Sequence, residues 1–202
     1  ALAAMVSKGW VEIFEMPAAG NAQASAGALA PTPSDEQHSA IETVYAARDH
    51  FQSFLLDGVT GSGKTEVYLR LAERQLRAGR RVLILVPEIG LTPQLVGRFA
   101  KRFAGIPLAV LHSGLTDTQR LEAWRRAHDG SARLVLGTRS AVFAPIPDLG
   151  MIVVDEEHEP TYKQDESPRY NARDVAVMRG HLENCCVVPK SHHFGLKLPL
   201  HE

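Results

Sequence analysis

A glycine-rich segment of the chain has the residue types and spacing of a phosphate-binding loop. It reads Gly58-Val59-Thr60-Gly61-Ser62-Gly63-Lys64-Thr65 and lies between an apolar run and a helical pattern. In a P-loop, glycines let backbone N–H groups approach phosphates at the start of a helix. Lys64 would reach the β- and γ-phosphates, and Thr65 would offer its hydroxyl to Mg²⁺. The segment predicts nucleotide binding, and a chance Gly-rich turn is the alternative.

An acidic pair, Asp155 and Glu156, follows the apolar run Met151-Ile152-Val153-Val154. Taken alone, such a pair is better explained as a solvated loop start or a helix cap. Beside a P-loop, however, Asp155 would hold Mg²⁺ and Glu156 would polarise the attacking water. We therefore expect ATP hydrolysis, with Lys64, Asp155 and Glu156 as catalytic residues and Thr65 and Asp155 as Mg²⁺ ligands.

The elements that must hold these motifs alternate between strand-like and helical patterns. Apolar strand-like runs occupy residues 51–56, 82–86, 108–111, 134–136 and 151–154. Helix start and stop signals lie between them, namely Thr92 before Pro93, Thr116 with Gln119, Asn171 with Asp174, and Gly79. This alternation predicts an α/β fold in which helices cover both faces of a parallel sheet.

The composition is that of an ordinary globular protein. Hydrophobic residues make up 45% and charged residues 22% of the 202 residues. Because no apolar run approaches the roughly 20 residues that span a bilayer, we expect a soluble protein. The net charge of −1 neither favours nor excludes nucleic acid, since basic residues can gather on one face.

The two cysteines, Cys185 and Cys186, are adjacent and cannot close an ordinary disulfide loop, which indicates a reducing compartment. His181, His192 and His193 lie near them in sequence, but the spacing matches no common zinc pattern. We therefore favour two half-buried strand cysteines over a zinc site.

Several segments resemble the motifs of one helicase family in order and spacing. Asp155-Glu156-Glu157-His158 resembles the second signature of superfamily 2 helicases, and P-loop kinases lack its histidine. Residues 85–94, 111–115 and 137–141 are similar to successive motifs of the replication-restart helicase family of primosomal protein N′, as are 162–164 and 169–174. The resemblance covers roughly residues 35–184 and implies the first RecA-like lobe of a P-loop NTPase.

The resemblance also implies a set of nucleotide contacts. Gln37 would read the adenine edge through its side-chain amide, although an ordinary exposed glutamine near a helix start is the alternative. The expected contacts are Gln37, Gly58, Thr60, Gly61, Ser62, Gly63, Lys64, Thr65 and Glu66.

DNA contacts are expected at the turns that follow strands and in an aromatic-rich loop. Polar side chains and N–H groups at the turns could grip phosphates, although each of these residues could equally cap a helix; they are Thr92, Gln94, His112, Ser113, Thr138, Arg139 and Ser140. In the aromatic-rich loop, aromatic rings could stack on bases and cationic side chains could contact phosphates. The residues of this loop are Tyr162, Lys163, Arg169 and Tyr170. The alternative is a mobile surface loop. With His158, the loop would report DNA occupancy to Glu156.

The chain is expected to divide into four parts. Residues 1–16 are compatible with the end of a winged-helix domain, which the family places before its motor, and residues 17–34 read as a linker. The lobe would occupy residues 35–184. Residues 185–202 would form a divergent C-terminal tail, because the family's Ser-Ala-Thr segment is replaced by Lys190-Ser191-His192-His193-Phe194. We expect the chain to be a piece of a longer protein.

The implied function is ATP-dependent, 3′-to-5′ DNA unwinding in replication restart and primosome assembly at stalled or branched forks. ATP and Mg²⁺ are the implied cofactors, and zinc belongs to family regions absent from this chain. The implied partners are forked and single-stranded DNA, primosome proteins and single-strand-binding proteins in the bacterial cytoplasm, with no membrane. The family's second lobe supplies an arginine finger, worth about 10³ to 10⁵ in rate, so weak turnover is expected here.

Two other functions stay open. Another superfamily 2 DNA translocase would share Lys64 and Asp155 but not the loop of residues 162–174. A truncated nucleotide- or DNA-binding module would keep the fold without turnover, in keeping with the altered tail.

Overall fold

The computed structural model of the protein describes residues 32–58, 62–191 and 195–197, the last three as backbone only. The helices in these ranges are α1 Asp35–Ala46, α2 Lys64–Arg77, α3 Pro93–Arg102, α4 Asp117–His128 and α5 Ala172–Glu183. The strands are β1 Gln52–Ser53, β2 Leu55–Asp57, β3 Arg81–Leu85, β4 Leu108–Leu111, β5 Leu134–Gly137, β6 Leu149–Val154, β7 Lys163–Gln164, β8 Tyr170–Asn171, β9 Cys186–Pro189 and β10 Gly195–Lys197. The predictions for residues 1–16, and for most of the linker, lie outside the described residues.

A six-stranded parallel sheet in the order β1-β9-β6-β3-β5-β4 forms the centre of the fold. Apart from Arg81, every residue of β3, β5, β6 and β9 is buried. Continuous buried runs of this kind are typical of parallel strands that are covered on both faces. Each predicted apolar run overlaps a strand, so the predicted parallel sheet is confirmed.

Helices cover both faces of this sheet because successive strand residues point in opposite directions. In β3, Val82 and Ile84 belong to an apolar core that also includes residues of α1, α2 and α3. Leu83 and Leu85 belong to a second core, with residues of α4 and α5. The predicted arrangement of a sheet between two helical layers is therefore confirmed.

The predicted capping residues begin and end the helices. Thr92 and Asn171 accept hydrogen bonds from backbone N–H groups in the first turns of α3 and α5. Thr116 and Gln119 form the reciprocal capping box of α4. Gly79 has φ +84°, a left-handed conformation that favours glycine just beyond a helix end.

Strand β9 lies inside the sheet, between β1 and β6. All four of its residues are buried, and Gly180 of α5 packs so closely on it that an added Cβ would lie 2.2 Å from Val187 Cγ2. The backbone of β10 pairs antiparallel with β2. The sheet therefore continues beyond residue 184, where the divergent tail was expected to begin.

Cys185 and Cys186 are fully buried free thiols, not half-buried ones. Burial raises the pKa of the Cys185 thiol to about 12 and that of the Cys186 thiol to about 11. No cluster of three or more histidine, cysteine or acidic side chains that could hold a metal ion occurs among the described residues, which exclude His192 and His193. No described helix is long and apolar enough to cross a membrane.

Candidate active site

The predicted motifs meet at the carboxyl edge of the parallel sheet. The P-loop follows β2, the acidic pair follows β6, and Lys190 follows β9. Parallel strands bring their carboxyl ends to one edge, which is where open α/β sheets bind ligands. The sheet therefore brings together groups that are up to 132 residues apart in sequence, from Gly58 to Lys190.

The described part of the P-loop turns directly into the N-terminus of α2. Gly63 precedes the helix at φ +80°, and a Cβ there would lie 2.2 Å from Gln37 Nε2. A Cβ on Gly58 would lie 2.9 Å from Ser62 Oγ. The left-handed conformation of Gly63 favours glycine, and the helix N-terminus faces the site as expected for a phosphate cradle. Thr60 and Gly61 lie outside the described residues.

Lys64 folds back over the loop. Its Nζ donates to the Gly58 carbonyl and lies 3.4 Å from Ser62 Oγ. Loss of hydration, and then the positive charge of Lys190, lower the pKa of Lys64, and the charges of Glu156 and Asp155 partly oppose this. The charge of the Lys190 ammonium therefore acts on the P-loop lysine.

Gln37 connects the start of α1 to the P-loop. Its Nε2 donates to the Ser62 carbonyl at 2.9 Å, and its Oε1 accepts from Ser34 N at 3.0 Å in a capping box. The side-chain amide is therefore fixed beside the loop by both of its ends. This position is compatible with an adenine contact, while the capping box satisfies the simpler interpretation of Gln37 as a helix-start residue.

Asp155 is held by three side chains from three segments. Tyr68 of α2 donates its hydroxyl to Asp155 Oδ2 at 3.0 Å, and Tyr162 donates to the Asp155 carbonyl at 2.5 Å. Lys190 Nζ lies 2.6 Å from Asp155 Oδ1. Burial, and then the charge of Asp155, raise the pKa of Tyr68 and of Tyr162 above that of a free phenol, so both remain donors.

Glu156 stands next in the chain in a left-handed conformation, with φ +51°. This region is uncommon for residues other than glycine, and such backbone strain is concentrated at functional sites. Lys190 Nζ lies 3.0 Å from Glu156 Oε1, and His158 Nε2 lies 4.0 Å from Glu156 Oε2. The predicted base and the predicted reporter histidine are thus adjacent.

The oxygen groups at this edge are of the kind that binds a magnesium ion, once the Lys190 ammonium moves away from the two carboxylates. Mg²⁺ takes oxygen ligands, commonly one or two carboxylates together with nucleotide phosphates. The Tyr68 hydroxyl donates to Asp155 at 3.0 Å, and Tyr68 lies one helical turn beyond Thr65, so α2 connects the two predicted ligands. The ammonium of Lys190 against Asp155 and Glu156 also shows that this carboxylate pair attracts a cation.

Glu66 pairs with two arginines. Its carboxylate lies 2.7 Å from Arg70 and 3.0 Å from Arg102 of α3. These contacts hold the side chain between α2 and α3, and the nucleotide contact of Glu66 stays a prediction.

The residues expected to follow DNA lie along the same edge of the sheet, with different exposures. Thr92, Gln94, Ser113 and Ser140 are exposed, and Thr92 also caps α3. Partly buried Arg139 donates to the Lys163 carbonyl at 3.2 Å, and His112 Nδ1 accepts from a backbone N–H at 3.1 Å. Thr138 is only 3% exposed, so the structure offers no side-chain surface there for a direct phosphate contact.

The aromatic-rich loop contains a two-stranded hairpin formed by β7 and β8. Lys163 and Arg169 are exposed, and the Tyr170 ring lies edge-on to Phe143 at 5.0 Å between centroids. Tyr162 is only 1% exposed. Its predicted stacking on a base is therefore wrong for this structure, because a short 3-10 turn, Pro160–Tyr162, directs the ring into the core.

Sequence reasoning missed three residues that hold the acidic motif. Tyr68 was detectable as the residue one helical turn beyond Thr65, on the side of α2 that faces the sheet. Lys190 was detectable as the first residue after a buried strand at the carboxyl edge. Arg173 of α5, which pairs with Glu157 at 3.0 Å, had no comparable signal because its partner lies on another element.

Two curated relatives are closely similar to part of this chain. Replication restart protein PriA of Bacillus subtilis (strain 168) is 51% identical over 161 residues, which cover 78% of this chain and 20% of that protein. The protein of the same name from Haemophilus influenzae is 55% identical over 138 residues, which cover 68% of this chain and 19% of that protein. These matches confirm the resemblance inferred from the motifs, and the chain spans about a fifth of the length of these relatives.

A solved structure and a family model agree with this similarity. The structure of RecG bound to a three-way DNA junction is similar to this chain, with a TM-score of 0.62 and 21% sequence identity. The match covers 81% of this chain and 21% of the RecG chain. That likeness confirms the RecA-like fold. The family model described as DEAD/DEAH box helicase matches residues 34–184. With its P-loop, its Asp-Glu-Glu-His motif and this match over most of its length, the chain belongs to the DEAD/DEAH box helicase family.

Proposed function

We propose that this chain is the ATP- and DNA-binding first lobe of a 3′-to-5′ replication-restart helicase that acts at stalled or branched forks in the bacterial cytoplasm. The observation that carries the proposal is the meeting of Lys64, Asp155 and Glu156 at one edge of the sheet. Its support from the relatives is the close similarity to replication restart proteins. Primosome and single-strand-binding proteins are partners of the proposed parent protein.

In the proposed reaction, each residue acts on the triphosphate or on water. Lys64 leaves the Gly58 carbonyl and binds the β- and γ-phosphates, where its charge stabilises the transition state. Glu156 accepts the proton of the attacking water. Thr65 and Asp155 would hold Mg²⁺, which neutralises charge on the phosphates when bound. Tyr68 and Tyr162 keep Asp155 in place from its carboxylate and carbonyl sides.

DNA would bind along the exposed residues of the same edge and at the hairpin loop. Thr92 and Ser140 offer hydroxyl groups for phosphates, and Lys163 and Arg169 offer positive charge. Ser113 would do so after leaving the Glu88 carboxylate, to which its hydroxyl donates in this structure. Because Arg139 donates to the Lys163 carbonyl and Tyr162 to Asp155, the loop is joined both to the DNA track and to the acidic motif. We propose that these contacts couple DNA binding to hydrolysis.

The first test is binding of a fluorescent ATP analogue to this chain, with Lys64→Ala as the control variant. Saturable binding that is lost in Lys64→Ala, while both proteins keep the same circular dichroism spectrum, is expected. Equal affinity of the two proteins would contradict the proposal. Labelled forked DNA tests the second part, and Lys163→Ala combined with Arg169→Ala is expected to weaken binding and reduce its salt dependence.

A second candidate function is a nucleotide- and DNA-binding module without turnover. Its support is the ammonium of Lys190 against Asp155 and Glu156, the two residues that hydrolysis would need. Phosphate release with and without DNA distinguishes the two functions. A DNA-stimulated rate that Glu156→Gln abolishes would support the motor, and binding without release would support the module.

A further inference from the structure

The side chain of Lys190 lies where a cation would act on the acidic motif. Its Nζ is 2.6 Å from Asp155 Oδ1 and 3.0 Å from Glu156 Oε1. The Lys190 side chain is 10% exposed and that of Asp155 13%. Removing one partner of a pair so withdrawn from water leaves an uncompensated buried charge, which is costly.

The backbone on both sides of Lys190 is fixed by strand-like hydrogen bonds. Lys190 N donates to the Val154 carbonyl at 2.8 Å, and its own carbonyl accepts from Glu157 N at 2.9 Å. Ser191 N donates to the Leu56 carbonyl at 2.9 Å. The segment is thus bound to the strands that precede the acidic motif and the P-loop, so the ammonium is built into the site.

An ammonium in this position competes directly with a divalent cation. Mg²⁺ binds carboxylate oxygens at about 2.0 to 2.1 Å and requires near-octahedral geometry. Lys190 Nζ already contacts one oxygen of each carboxylate. A divalent cation bound to the same oxygens would be strongly repelled by this ammonium. Phosphates, in contrast, gain from a second ammonium group beside Lys64.

We propose that Lys190 is an internal counter-ion that takes the place of the divalent cation at Asp155 and Glu156, so that this chain binds nucleotide phosphates with little dependence on Mg²⁺. This inference rests on the proposed nucleotide binding at the P-loop. It also assigns to Lys190 a restraint on hydrolysis, since Glu156 stays paired while the ammonium is in place.

The experiment measures the affinity of the fluorescent ATP analogue in EDTA and in increasing Mg²⁺, for the unaltered chain and for Lys190→Met, Lys190→Arg and Lys101→Met. We expect less than about a threefold change with Mg²⁺ in the unaltered chain and about 10- to 100-fold tightening in Lys190→Met, the range seen when groups around a metal site are altered. Lys190→Arg keeps the charge and is expected to behave like the unaltered chain. Lys101 is exposed on α3 and serves as the matched control.

A second measurement needs no nucleotide. Mg²⁺ is expected to raise the thermal unfolding midpoint of Lys190→Met, whose carboxylates would then accept the metal. The midpoint of the unaltered chain is expected to stay the same. If Lys190→Met does not fold, Lys190→Gln, which keeps a polar donor, replaces it in both measurements.

The outcomes separate the two proposals. Strong tightening by Mg²⁺ in the unaltered chain, or the same Mg²⁺ response in all four proteins, would overturn the role of Lys190. Absence of analogue binding in every protein would overturn the proposed function instead. The thermal measurement would then decide the inference on its own, and equal stabilisation of the unaltered chain and Lys190→Met by Mg²⁺ would refute it.

Discussion

The hydroxyl of Tyr68 is the most direct test of how the fold supports the acidic motif. Tyr68→Phe removes one oxygen atom and keeps the ring, which is 1% exposed beneath the P-loop helix. The lost contact is the hydrogen bond to Asp155 Oδ2 at 3.0 Å. Because the ring still fills the core, the change isolates a polar contact.

The expected loss of unfolding free energy follows from the charge of the acceptor. A hydrogen bond to a charged group contributes about 1.5 to 3 kcal/mol. Since Lys190 still compensates Asp155 on its other oxygen, we expect the lower part of this range, about 1.5 to 2 kcal/mol. Urea denaturation followed by circular dichroism measures it. Tyr45→Phe, whose ring keeps its contacts with Arg48 and Arg74, is the control and is expected to change stability by no more than about 0.5 kcal/mol.

The pH dependence of folding stability provides a second, independent test of this prediction. Burial and the charge of Asp155 raise the pKa of Tyr68 above its ordinary value, so the folded chain favours the neutral phenol. That contribution is fully present below about pH 10, the ordinary tyrosine pKa, and is lost as the pH rises further. The stability gap between the unaltered chain and Tyr68→Phe is therefore expected to narrow above about pH 10. A gap below about 0.5 kcal/mol at pH 7, or one that widens above pH 10, would refute the reasoning.

Two further predictions concern the packing of the lobe. Gly180→Ala places a Cβ 2.2 Å from Val187 Cγ2, so overpacking is expected to cost about 1 to 3 kcal/mol in urea denaturation. Gly97→Ala in α3, where nothing lies within 4 Å of the added Cβ, is instead expected to stabilise the chain by up to about 1 kcal/mol. A Gly180→Ala variant more stable than Gly97→Ala would contradict this reasoning. Cys185 and Cys186 are expected to resist iodoacetamide at pH 8 until the chain unfolds, because burial raises the pKa of both thiols to about 12 and about 11. Mass spectrometry measures the extent of alkylation. Rapid alkylation of the folded chain would contradict the expected resistance of the two thiols.

The local motifs were predictable because each one is written in a short stretch of sequence. The P-loop contains its own glycines and lies between a strand and a helix, and the caps at Thr92 and Thr116 depend on neighbours three residues away. The direction of a single ring was not predictable in this way. Tyr162 follows an acidic motif in a polar segment, and only its place beneath Asp155 shows that the ring is buried.

The position of β9 depends on contacts distant in sequence, which a motif reading does not capture. The run from Cys185 to Val188 is short, and the departure from the family pattern after it suggested a tail. In the structure this run fills the gap between β1 and β6, where its residues pair with both neighbours. Assigning this strand to a tail outside the lobe also concealed Lys190, since its proximity to Asp155 exists only once β9 lies beside β6.

The charge balance of the site follows from these placements. Lys64 and Lys190 contribute two positive charges, and Asp155 and Glu156 contribute two negative ones. In a site withdrawn from water, an added charge requires a partner, because an uncompensated buried charge is costly. The phosphates of a nucleotide find two ammonium groups already present, whereas a divalent cation must first displace one of them. The position of β9 beside β6 thus favours binding of an anion and opposes binding of a divalent cation at Asp155 and Glu156.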